Sequence, residues 1–89
     1  MFYVYIIKSL VKAWYYIGLT GNIDQRLSRH NNGRERTTKY YLPFELVFVQ
    51  ECEDRLIARD LEKYLKIRSN KESLLYLIAE VVKLVDTQS

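Results

Sequence analysis

The sequence contains one cysteine, one histidine, one proline and only three glycines in 89 residues. Cys52 and His30 cannot together supply the four ligands of a structural zinc site, and a lone cysteine cannot close a disulfide within the chain. A reducing, cytoplasmic setting is the expectation. With 48% apolar and 28% charged residues, the scarcity of proline and glycine excludes collagen-like, linker and disordered classes. Long apolar runs are missing too. The run at the N-terminus ends at Lys8 with no basic stretch ahead of it, and the C-terminal run is broken by Glu80, Lys83 and Asp86. Neither a targeting segment nor the ~20 apolar residues of a membrane helix is present, so no membrane partner is expected. A chain of this length buries roughly 60–65% of its unfolded surface, enough for one core and one site.

Aromatic residues, by contrast, are plentiful: eight Tyr, three Phe and a Trp accompany a net charge of +3. The charge is uneven. Between Arg26 and Lys39 the basic residues Arg26, Arg29, Arg34, Arg36 and Lys39 are opposed only by Glu35, so this window carries +4 and exceeds the whole chain. Concentrated positive charge with aromatics nearby suits a phosphate-bearing partner, although a solvated loop would look the same.

Phe2 to Ile7 is a run of aromatic and β-branched residues that predicts a buried strand. Trp14 to Ile17 repeats the pattern and stops at Gly18, predicting a hairpin through Ser9 to Lys12 whose turn lacks the usual Gly, Asn, Asp or Pro. Asn22, with Gln25 three residues on, predicts the start of a helix over Ile23 to Asn31, and Gly33 suits the left-handed position past its end. Residues 34–42 read as a loop. Phe44, Leu46 and Phe48 alternate with Glu45 and Val47, predicting a third strand to Cys52. A second helix begins at Asp54, with Ile57, Leu61, Tyr64 and Leu65 at helical spacing. Ser69 and Glu72 predict a capping box for a third helix carrying Leu74, Leu75, Ile78, Val81 and Val82. The fold class is therefore α/β (α+β): a three-stranded antiparallel sheet flanked by helices, in the order β-β-α-β-α-α.

Individually, the residues with chemical potential have plain readings. Arg26 and His30, four apart on one helix, read alone as two exposed polar groups. Glu62 precedes Lys66 in the favourable order for a helix ion pair. Tyr3, Tyr5, Tyr15 and Tyr16 are good strand residues.

Their order is more specific. Tyr3-Val4-Tyr5, then Tyr16-Ile17-Gly18-Leu19-Thr20, then Asn22, Arg26 and His30, then Ala58 and Glu62 resemble the GIY-YIG nuclease superfamily. The similarity is to its small stand-alone bacterial members, which are similar to the nuclease module of the excision-repair excinuclease. The resemblance covers about residues 2–75, with Val4 following Tyr3 where the name-giving motif has Gly-Ile. It implies a nuclease domain over residues 1–77, with 78–89 as a helical extension or tail. By the same resemblance, Tyr5, Tyr16, Arg26, His30 and Glu62 are the catalytic residues, and Glu62 holds a divalent metal ion, Mg²⁺ or Mn²⁺. Asn70 matches an asparagine found after the glutamate in some members, and the nearby Ser69–Glu72 cap offers a structural reading for it.

The implied reaction is metal-dependent hydrolysis of a phosphodiester, leaving a 5′-phosphate and a 3′-hydroxyl. DNA is the expected partner, in repair or recombination, with Arg29, Arg34, Arg36, Lys39, Tyr40 and Tyr41 contacting phosphates and bases. A recruiting protein is a further expectation, as is a homodimer through a Leu77–Leu84 stripe on the last helix. The alternative is a non-catalytic nucleic-acid-binding module of the same fold. For Tyr5 and Tyr16 to share a face, paired residues of the first hairpin must sum to an odd number. Which tyrosine serves as general base is left open at this point.

Overall fold

A computed structural model describes the backbone of residues 1–88 and the side chains of residues 1–81. Three strands, β1 (Phe2–Ser9), β2 (Tyr15–Thr20) and β3 (Phe44–Cys52), alternate with helices α1 (Ile23–Asn31), α2 (Arg55–Lys66) and α3 (Arg68–Gln88) in the expected order. The sheet is antiparallel with strand order β2-β1-β3. β1 is therefore the middle strand, which explains why its sequence is a continuous apolar run and not an alternation. Both of its faces are covered.

Two cores result. The even-numbered β1 residues Val4 and Ile6 pack with Ile17, Cys52, Ala58 and Leu65, beneath α2. The odd-numbered Tyr5 and Ile7 pack with Phe44 on the opposite face, together with Ile23 and Leu27 of α1 and with Trp14, Tyr16, Tyr41 and Leu42. β1 and β2 pair with Tyr3 opposite Thr20 and Tyr5 opposite Gly18, an odd sum, so Tyr5 and Tyr16 lie on the same face as required.

Three features depart from the sequence reading. β2 does not stop at Gly18 but continues to Thr20. A Cβ on Gly18 would collide with the Tyr5 hydroxyl and Cζ, so this glycine makes room for a ring and does not end the strand. In β3, Ile6 pairs with Phe48 but Ile7 pairs with Leu46, leaving Val47 as an extra residue. This bulge breaks the expected alternation: Phe44 belongs to the α1-side core, whereas Phe48 packs on the α2 side.

The capping box at Ser69 is not formed. α3 begins at Arg68, so Ser69 already lies within it, and Glu72 pairs with Arg68 at 2.9 Å. The reason is the shortness of the α2–α3 junction. A single extended residue, Ile67, reverses the chain, and its carbonyl accepts the amides of Asn70 and Lys71, both at 3.1 Å. Asn70 donates its side-chain amide to the Tyr64 carbonyl at 3.0 Å, satisfying the end of α2. The proposed Leu77–Leu84 stripe cannot be followed, because the side chain of Leu84 lies outside the described residues.

The atypical hairpin turn has a local cause. Ser9 is buried; its Oγ accepts the amides of Val11 and Lys12 at 3.2 and 3.1 Å and donates to the Tyr41 carbonyl at 2.6 Å. One serine therefore does the work of the missing turn residues and also ties the 34–42 loop to the sheet. Ser9→Ala should cost roughly 1–3 kcal/mol, because it removes three hydrogen bonds to part-buried backbone groups at once. In urea unfolding the midpoint should fall at unchanged slope. An unshifted midpoint would mean the turn is held by something else.

Candidate active site

The site forms on the α1 face of the sheet. Asn22 caps α1 by accepting the Gln25 amide at 3.0 Å, and the Thr20 hydroxyl bridges the strand-to-helix junction through the Asn22 amide and carbonyl. This sets the helix phase that puts Arg26 and His30 one turn apart on the side facing Tyr5. At the other end of α1, Asn31 binds the backbone of Phe44 twice, accepting its amide at 2.7 Å and donating to its carbonyl at 3.3 Å. The helix is thus fastened at its start to β2, which carries Tyr16, and at its end to β3.

His30 is not the exposed helix residue that the Arg26–His30 spacing suggests by itself. It is 1% exposed, with ring centroids of Tyr16, Tyr5 and Phe44 at 5.2, 5.8 and 6.0 Å. Its two nitrogens are both engaged: Nε2 is 2.8 Å from the Tyr5 hydroxyl, and Nδ1 is 2.8 Å from the hydroxyl of Thr38, itself fully buried. Burial sets the protonation states. Desolvation holds the His30 pKa below its ordinary 6.5, with Glu35 pulling against it, so the ring is neutral near pH 7. Burial also drives the Tyr5 phenol above its ordinary 10.0, assisted by Tyr16 and opposed by nearby Arg26. Tyr5 is therefore a neutral hydrogen-bonding group, a worse base than a tyrosine in water. Tyr16, in the neighbouring strand position, is only half-buried, and its ring lies 6.4 Å from that of Tyr5.

Arg26 is about one-third exposed and shares a carboxylate with Arg29. Glu35 Oε1 lies 3.9 Å from Arg26 Nε and 2.8 Å from Arg29 Nε. The single acid of the basic window thus sits between the two arginines, and the hydrogen bond from Arg29 holds its carboxyl below the usual range. Arg34, Arg36, Lys39 and Tyr40 are exposed, with the Lys39 ammonium 5.1 Å from the Tyr40 ring centre. Tyr41 is not free for base stacking in the same way. One face is taken by Trp14, at 3.9 Å and nearly parallel, with the Lys12 ammonium 5.4 Å from its centre.

Glu62 comes from α2, whose apolar side covers the other face of the sheet. Its side chain is largely buried, and its ion-pair partner is Lys66 at 3.4 Å, the helix pair expected from spacing. Among the described residues no group of three or more His, Cys, Asp or Glu could hold a metal. A single carboxylate still fits a hard divalent ion such as Mg²⁺, which keeps most of its waters and completes its shell with substrate phosphate oxygens. The residues that sequence reasoning missed, Thr38, Asn31 and Ser9, all act by hydrogen bonds that join separate segments of the chain, Ser9 bonding its own turn as well. No periodicity or local motif marks such residues. A hydroxyl or amide at the edge of an apolar run is the only hint.

Known proteins are similar to this chain over most of its length. The GIY-YIG catalytic domain pattern matches residues 1–75. A UPF0213 protein of Bacillus cereus is 36% identical over 64 residues, covering 71% of this chain and 67% of the relative. One from Clostridium perfringens is 31% identical over 84 residues, covering 93% and 89%. The solution structure of a UPF0213 protein from Bacillus halodurans is similar with a TM-score of 0.55 and 31% identity, over 86% of this chain and 85% of that one.

The buried neutral imidazole makes stability pH-dependent with a definite sign. Unfolded His30 takes up a proton near pH 6.5, while the folded ring does so only at lower pH. Its contribution is complete above that value and is lost as pH falls through the folded pKa. Urea midpoints measured from about pH 7.5 down to about pH 5 should decline below pH 6.5, and His30→Gln should flatten that decline. An equal decline in both proteins would place the titrating group elsewhere. Gly18→Ala should destabilise by roughly 1–3 kcal/mol, because the added methyl collides with the Tyr5 ring in a packed core. Unchanged thermal unfolding of this variant would show that the ring has somewhere else to go.

Proposed function

The chain belongs to the GIY-YIG catalytic domain family, and from that premise we propose that it is a divalent-metal-dependent endonuclease. It hydrolyses phosphodiester bonds of DNA, selecting by structure, in repair or recombination. The observation that carries this reading is the buried Tyr5–His30 hydrogen bond beneath Arg26, a polar constellation that core packing alone does not call for.

In this reading Arg26 stabilises charge on the non-bridging phosphate oxygens, for which the planar guanidinium is better suited than an ammonium. An incoming phosphate competes with Glu35 for it. Tyr16, the more exposed tyrosine, orients the attacking water through its hydroxyl. Tyr5 stays protonated and, backed by His30, fixes the floor of the site. Glu62 holds Mg²⁺ or Mn²⁺, which when bound neutralises charge at the phosphate and the leaving oxygen. Arg29, Arg34, Arg36, Lys39 and Tyr40 guide the strand electrostatically. The nuclease domain spans 1–77 and residues 78–89 extend it, with a recruiting protein or self-association through α3 supplying substrate choice. No helix among the described residues is long and apolar enough to cross a membrane.

The test is cleavage of flaps, forks, nicks, single strands and RNA hybrids with Mg²⁺ or Mn²⁺. Arg26→Ala and Glu62→Ala should each lower the rate on the order of 100-fold or more while nucleic-acid affinity changes far less. Metal chelation should abolish cleavage. Cleavage that survives both substitutions would sink the assignment. Binding without cleavage by the wild-type protein would favour a non-catalytic nucleic-acid-binding module.

A further inference from the structure

We propose that Thr38 is a positioning residue of this site: its hydroxyl, bonded to Nδ1, holds the His30 ring in one orientation and one tautomer, and so aims Nε2 at Tyr5. The catalytic consequence rests on the nuclease reading above; the geometric assignment does not.

Thr38 lies in the most basic stretch of the chain, and its neighbours Arg36, Thr37, Lys39 and Tyr40 are all exposed. Thr38 alone turns inward and has no exposed surface. Its backbone is pinned on both sides, the amide donating to the Glu35 carbonyl at 3.2 Å and the carbonyl accepting the Tyr41 amide at 2.9 Å. Tyr41 is itself anchored by the Ser9 hydroxyl on its carbonyl and by Trp14 on its ring. The hydroxyl is thus delivered to Nδ1 at 2.8 Å by a chain of contacts that ends in the sheet. The same turn carries Glu35, which lies against Arg26 and Arg29. Both proposed catalytic groups of α1 are therefore held from one short segment, four residues from Glu35 to Thr38.

A neutral imidazole has one N–H and one lone pair, and both of its nitrogens here face hydroxyls. The arrangement is directional. If Nδ1 carries the proton it donates to Thr38, and Nε2 must accept the Tyr5 phenol proton. If Nε2 carries it, Thr38 donates to Nδ1, and the phenol proton is released from His30. Hydrogen bonds in a buried chain polarise one another, so losing the bond at the Thr38 end loosens what Tyr5 presents to the site. Without this hydroxyl, Nδ1 has no partner in a place closed to water, and the ring is free to exchange tautomers or rotate.

His30 is the only histidine in the chain, so its imidazole ¹⁵N signals need no assignment. In the wild-type protein near pH 7, Nδ1 and Nε2 should appear widely split, as one fixed neutral tautomer. Thr38→Val should collapse the splitting toward the averaged pattern. On a cleaved substrate it should lower kcat by roughly 10–100-fold, the range seen when an outer partner of a functional imidazole is removed, with KM little changed. Thr38→Ser, which keeps the hydroxyl, should restore both.

Averaged signals in the wild-type protein would overturn the proposal, as would a folded Thr38→Val protein with the wild-type splitting. If Thr38→Val does not fold, the wild-type and Thr38→Ser spectra still decide, since each must show the fixed tautomer. A wild-type protein that cuts no nucleic acid would defeat the nuclease reading alone, leaving the imidazole signals to judge Thr38.

Discussion

Three polar side chains buried against one face of the sheet can remain there only because they satisfy one another. Tyr5, His30 and Thr38 come from a strand, a helix and a loop, and all three are at most 2% exposed. Leaving any one of these groups unpartnered would cost roughly 1–3 kcal/mol, a large part of a small domain's stability. Much else in the fold serves this requirement. Gly18 has no side chain because the Tyr5 ring occupies that space. The 34–42 loop bends back toward the sheet so that Thr38 can reach His30, and Ser9 and Trp14 hold it there. Stability and the geometry of the site depend on the same hydrogen bonds.

The sheet divides its labour by parity. The even side of β1 is a dry core under α2, while the odd side carries the tyrosines, the imidazole and the basic surface. Glu35 tempers that surface. By sitting between Arg26 and Arg29 it draws both guanidiniums toward one carboxylate and offsets part of their charge.

Much of the fold was legible because its signals are local. The apolar run of β1, the Asn22 cap and the Asp54 cap each act within a few residues, and the elements stand where those signals put them. The motif order brought Tyr5, Tyr16, Arg26 and His30 into consideration together, and they converge on one face. What is not legible depends on packing and chain direction that no local pattern encodes. Ser69 looked like a cap because nothing local revealed that Ile67 alone would turn the chain. Gly18 looked like a stop because the ring that needs its space is thirteen residues earlier. The Val47 bulge is visible only against β1, and Thr38 sits in a loop whose composition reads as solvated charge.

The middle position of β1 also bears on the order in which the chain can be completed. Of the three strands, the one that comes earliest in the chain is the one that needs covering on both edges and both faces. β2 can close one edge once Thr20 has been made, but the other stays open until β3 is finished at Cys52. Its even face waits longer still, for Ala58 and Leu65 of α2. An apolar strand with a free edge is a template for pairing with other chains. β1 is therefore covered only by parts of the chain that follow it, and its folding waits on them.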